Sequence, residues 1–137
     1  MKGFKHKLIY PVIILLLIHL MPSGLFALAT TSATLQNSVT GNGNGTASDV
    51  SSYTTAVIQV SGTFTATINF EASVDGLTYT ALQCFSITDS TSSATSVTIP
   101  GIWRCNIVGI GKVRARISGY GSGTITVKAM YNSVGVF

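Results

Sequence analysis

From Phe64 to Ala72 every second residue is apolar. Phe64, Ala66, Ile68, Phe70 and Ala72 alternate with Thr65, Thr67, Asn69 and Glu71. Successive side chains of a strand point to opposite faces, so this segment reads as a strand with one face on a core and the other in water. Asp75-Gly76 follows, a pair that accepts positive φ and closes two-residue hairpins, and a second strand is expected from Thr78.

The same alternation recurs along the chain. Strands are expected at 54–60, 63–73, 78–87, 96–99, 102–108, 112–118 and 124–131, with a short first strand around Leu35 and Val39. Pro100-Gly101 and Tyr120-Gly121-Ser122-Gly123 read as turns, and 88–95 as a low-complexity loop. About seven or eight short strands with no helical period predict an antiparallel β-sandwich, jelly-roll or Ig-like, or else a closed barrel.

The N-terminus has a different composition. Lys2, Lys5 and Lys7 precede an apolar run, Leu8 to Leu20, broken only by Pro11 and His19. Met21-Pro22-Ser23-Gly24 breaks the helix, and Ala27-Leu28-Ala29 supplies a small-x-small cleavage pattern. A secretory apolar core is roughly 7–15 residues, whereas a membrane span needs about 20. Residues 1–29 therefore read as a signal peptide, and Pro22, Ser23 and Gly24 weaken the rival reading of an uncleaved anchor. Residues 30–52 read as a flexible lead-in rich in Gly, Asn, Ser and Thr, and 53–137 as the β-sandwich domain. The expected location is exported: secreted, periplasmic, or at a cell or virion surface. Contact with a membrane is expected only through residues 8–29, if they stay uncleaved.

The formal charge of +4 does not point to nucleic acid, because three of the cations lie in the first seven residues. Beyond residue 29, Arg104, Lys112, Arg114, Arg116 and Lys128 face Asp49, Glu71, Asp75 and Asp89, which is close to neutral. Both histidines, His6 and His19, are N-terminal, so the rest of the chain lacks the commonest general base and metal ligand. The four acids are scattered, and no histidine is available to activate a serine. Gly109-Ile110-Gly111-Lys112 lacks the ending and the following helix of a phosphate loop and reads as a tight turn. Asp75 and Asp89 lack calcium-loop spacing. No catalytic, cofactor or metal site is expected, and the chain does not read as an enzyme.

Cys84 and Cys105 are the only cysteines, and both fall in expected strands. An exported chain with two cysteines most simply joins them, which would stabilise by about 3 kcal/mol through loop closure. Two buried free thiols are the alternative. For surface contacts, Lys112, Arg114 and Arg116 form a basic stripe on one strand face, read either as a charged edge or as a seat for an anionic partner. Trp103, Tyr79, Tyr120 and Tyr131 are candidates for an aromatic platform for sugar rings, the alternative being that they belong to the core; Tyr120, beside a glycine turn, is the best candidate for an exposed one.

Several segments in order resemble a small β-sandwich module of tailed-phage and prophage virion proteins. They are Ile58-Gln59-Val60-Ser61-Gly62-Thr63-Phe64, Ile68 to Tyr79, Gly101-Ile102-Trp103-Arg104, Val113 to Tyr120, and Gly123-Thr124-Ile125-Thr126-Val127. The resemblance implies a non-enzymatic structural component of tail, neck, fibre or capsid-decoration type, associating with itself or with other structural subunits. The two cysteines and the signal-like N-terminus depart from that pattern, and fit a membrane-associated virion component or a cellular secreted protein that uses the module. A secreted carbohydrate-binding or adhesive module, with a surface glycan as partner, is the alternative function.

Overall fold

The computed structural model describes residues 29–133. The expected signal peptide or anchor, with Ala27 of its cleavage pattern, lies outside the described residues, which begin at Ala29. The chain beyond residue 133 lies outside them as well.

The described residues form strands and loops without a helix. The strands are β1 (Thr30–Val39), β2 (Ser48–Asp49), β3 (Thr55–Ser73), β4 (Thr80–Ala81), β5 (Cys84–Ser86), β6 (Ser93–Ala94), β7 (Ser96–Val97), β8 (Gly101–Asn106) and β9 (Lys112–Asn132). All nine belong to one sheet in the order β1-β9-β3-β8-β5-β6, with β2 added to β9 and β4 and β7 added to β3. Every pairing is antiparallel.

The expected sandwich of seven or eight short strands needs correction in number and in construction. The two strands expected at 54–60 and 63–73 are one strand of 19 residues, β3, and those expected at 112–118 and 124–131 are one strand of 21 residues, β9. They pair with each other from Thr55↔Asn132 to Ser73↔Lys112. The Tyr120-Gly121-Ser122-Gly123 segment is therefore not a hairpin turn. It belongs to a bulged stretch in which Gly119, Tyr120 and Gly121 lie opposite the single residue Ala66. Bulges bend a strand without reversing it.

The sheet folds over at this line. Ile107 donates its N–H to Thr54 O and Gly111 donates to Ser73 O, so residues 107–111 bridge the two ends of β3. Four residue steps span at most about 14 Å. A straight strand of this length would run roughly 60 Å, so β3 must double back. Gly62 (φ +116°) and Gly123 (φ +96°) sit at the fold, where a Cβ would strike the carbonyl oxygens of Thr124 and Thr63 respectively. Only glycine permits so close an approach with that backbone.

Doubling back creates two halves. In the near half, β3 residues 55–60 lie between β8 and β9 residues 127–132, with β1 beyond β9. In the far half, β3 residues 67–73 pair with β9 residues 112–118, flanked by β2, β4 and β7. The alternation aims one face of both halves inward. Ile58, Ile68, Phe70, Val113, Ile117 and Ile125 are all buried, and Phe70 of the far half meets Trp103 of the near half at 5.7 Å between ring centroids.

Smaller departures have local causes. β3 and β4 form the expected hairpin, but through the loop 74–79 and not a two-residue turn, because Asp75 accepts the N–H groups of Leu77 and Thr78. The strand expected at 78–87 is split, because 80–81 pair with β3 and 84–86 pair with β8, with Leu82 and Gln83 between them. Residues 30–52, read as a lead-in, contribute β1 and β2 to the sheet and Leu35 and Val50 to the core. Cys84 and Cys105 are directly opposed on β5 and β8 and joined as a disulfide.

Candidate functional site

Folding buries one side of the sheet and leaves an outer face on each half. On the far half the strand register places Glu71 opposite Arg114 and Asn69 opposite Arg116. Glu71 accepts from Arg114 Nε at 2.7 Å through one oxygen and from Arg116 Nε at 2.6 Å through the other. The Arg114 guanidinium lies 3.8 Å from the centroid of the Tyr79 ring, and Asn69 donates to Arg116 O and Ser118 Oγ. Side-chain exposures of 11 % for Glu71, 19 % for Arg114 and 37 % for Arg116 make this a partly desolvated network. Burial works against the Glu71 charge, but hydrogen bonds from Arg116 and Arg114 outweigh it and hold the carboxyl below its ordinary value.

The expected basic stripe is thus assembled on one face, but two of its three cations are committed to Glu71. The third, Lys112, sits at the end of β9 opposite Ser73 and Asp49, with its alkyl chain against Gly76. The expected aromatic contacts are placed differently. Trp103 points into the core and is no surface contact, because alternation along β8 sends Trp103 and Cys105 inward and Ile102 and Arg104 outward. Tyr120 is half-buried in the bulge; its hydroxyl donates to Gly123 O at 2.7 Å and its N–H donates to Asn42 Oδ1 at 2.9 Å.

The remaining acids serve their own loops. The backbone N–H groups of Thr78 and Leu77, followed by the Ser73 hydroxyl, lower the pKa of Asp75 to about 2. The hydroxyls of Ser92 and Thr91 do the same for Asp89, also to about 2. Asp49 accepts from the hydroxyl and N–H of Ser51, which lower its pKa too. Asp75 and Asp89 belong to separate loops. Among the described residues, no cluster of three His, Cys, Asp or Glu side chains is placed to hold a metal ion. Gly109-Ile110-Gly111-Lys112 lies in a turn closed by Ile110 N–H donating to Ile107 O, with Gly109 at φ +78°.

The near outer face differs, and sequence reasoning passed over it. Register aligns Ser32, Met130, Val57, Arg104 and Phe85 in one row across five strands. The next row holds Thr34, Lys128, Gln59 and Ile102, with Ile87 hydrogen-bonded to Ile102 O. The signal was present in the outward positions Ile102 and Met130, apolar residues that alternate with core residues on the wrong face for burial.

A family model described as XepA matches residues 29–131, well over half of the chain. The chain belongs to the XepA family. The matched span runs from the residue before β1 to the penultimate residue of β9, so it takes in the whole folded sheet and both outer faces. Two solved structures resemble it. SPBc2 prophage-derived protein YomS is 25 % identical with a TM-score of 0.71, over 77 % of this chain and 95 % of that one. PBSX exported protein XepA is 20 % identical with a TM-score of 0.73, over 78 % of this chain. The chain spans 39 % of the length of that XepA protein, and this second likeness carries the fold alone. No curated protein matches the sequence. The resemblance to a prophage module read from the sequence agrees with the XepA family match and with the prophage-derived YomS.

Proposed function

We propose that this protein is an exported, phage-associated structural component that acts by surface contact and does no chemistry. The observation that carries this reading is the match of the entire folded sheet to the XepA family, with neighbours titled as a prophage-derived protein and as an exported protein. The N-terminal pattern of Lys2, Lys5 and Lys7 followed by an apolar run supports export. The location is outside the cytoplasm, and the working partners are copies of itself or other subunits of a virion or extracellular assembly.

The test is sedimentation of the native protein from its source without overexpression. It is expected to travel with particles or filaments; a small, free species would overturn the reading. The alternative of a carbohydrate-binding module has less support, because Trp103 lies in the core and Arg114 and Arg116 are engaged by Glu71. It predicts glycan binding that falls on Tyr120→Ala.

A further inference from the structure

The near outer face presents apolar side chains and cations, and no acid lies in its two rows. Met130 is 49 % exposed, Phe85 43 %, Ile102 40 % and Ile87 54 %. Val57 lies half-buried between Met130 and Arg104. A shallow cleft of about 280 Å³ runs beside Val57, Gln59, Ile102 and Met130, and a second of about 390 Å³ beside Phe85, Ile87 and Arg104. Exposed apolar side chains gathered on one face, as opposed to scattered singly, mark surfaces that are covered in use.

Charge identifies the kind of cover. Arg104 and Lys128 stand on this face, and among the described residues neither pairs with a carboxylate. The four acidic side chains of the described residues are engaged elsewhere. Glu71 is held by two arginines, and Asp49, Asp75 and Asp89 each accept from their own loops. A second copy docked face to face would bring cations together with nothing to neutralise them, which is unfavourable in a desolvated contact. A bilayer-inserted surface carries an apolar face that reaches about 5–10 Å into the interface, whereas here the apolar side chains are interrupted within their rows by Arg104, Lys128 and Gln59.

We infer that the near outer face, centred on Val57, Ile102 and Met130 and flanked by Arg104 and Lys128, docks a different protein whose contact surface carries apolar side chains bordered by Asp or Glu. This rests on the structural reading above and gives it a surface and a partner chemistry.

The test uses the full chain. A random-peptide display library is selected on the immobilised protein, and phosphatidylglycerol vesicles are offered in parallel. Enriched peptides are expected to carry apolar residues flanked by Asp or Glu. Their affinity is expected to fall about ten-fold or more in Arg104→Glu/Lys128→Glu and in Ile102→Asp, and to be unchanged in Asn37→Glu, with all variants melting as the parent does. No enrichment, enrichment without acids, or indifference to these substitutions overturns the proposal. So does vesicle binding lost in the same variants, which would assign the face to lipid, or an oligomer dissociated by Ile102→Asp, which would assign it to a second copy. Sedimentation separates this idea from the one it rests on. If parent and charge-reversed protein both travel with particles, the docking face is wrong and the structural role survives; if the parent travels free, the structural role fails and the peptide selection judges the face alone.

Discussion

The two outer faces share the strands β3 and β9, yet they are finished in opposite ways. On the far half the charged side chains close on one another: Glu71 takes both Arg114 and Arg116, and Tyr79 covers Arg114. On the near half Arg104 and Lys128 have no carboxylate partner among the described residues, and Met130, Ile102 and Phe85 lie partly bare. A face that satisfies itself contributes to the stability of the fold. A face left unsatisfied adds little to stability and is available for contact. Charge on a β-sheet therefore says nothing about binding until its partners across the strands are known.

The two halves should respond differently to substitution. The halves exist because the sheet folds at Gly62 and Gly123, so Gly123→Val should give the largest effect, a loss of about 3 kcal/mol or more and little folded protein, seen in circular dichroism and yield. A Gly123→Val protein that melts like the parent would mean the fold line does not depend on that backbone. The disulfide joins β5 to β8 in the near half only. Cys84→Ser with Cys105→Ser is expected to cost about 3 kcal/mol in denaturant unfolding by the loop-entropy estimate.

Glu71→Gln tests the self-satisfied face directly. It leaves two arginines without their anion in a partly desolvated setting, and about 2 kcal/mol should be lost. Arg104→Gln and Lys128→Gln should each stay within about 0.5 kcal/mol, and equal costs on the two faces would mean that the faces do not differ in this way. Acid acts on the self-satisfied face through Glu71, and on the loops of Asp75 and Asp89. The folded pKa values of Glu71, Asp75 and Asp89 are depressed. Their contribution is therefore complete above the ordinary carboxylate range and lost as pH falls through the folded values, about 2 for Asp75 and Asp89. Stability measured from pH 5 down to about pH 2 should fall, and Glu71→Gln should flatten part of the descent. The smallest expected effect belongs to the exposed apolar residues: Ile102→Thr and Met130→Thr should leave the melting temperature within a degree or two.

Much of this architecture was legible in the alternation. Ile58, Val60, Val113, Ala115, Ile117, Ile125, Val127 and Ala129 all point inward as period two requires. What could not be read was whether Gly62 and Gly119 to Gly123 end strands or bend them, because glycine serves both purposes and the answer lies in distant carbonyls, those of Thr63 and Thr124. The same limit applied to the site. Glu71 and the Arg114/Arg116 stripe were each placed on an outer face, but their meeting depends on β3 pairing with β9 across more than forty residues of sequence. Trp103 was a surface candidate by residue type and a core residue by parity, and parity decided.

The position of β9 in the sheet also sets an order of events. It is the last of the described strands, yet it is the hydrogen-bonding partner of β1, β2 and β3. A growing polypeptide that has made β1 to β8 still lacks the neighbour that three of them require, and the Thr55↔Asn132 pair forms only once residue 132 is available. Topologies dominated by such distant pairings fold slowly, because loop closure precedes the gain in contacts. β1, β2 and β3 therefore stay without their shared neighbour until residue 132 has been made, and the described sheet cannot close before then.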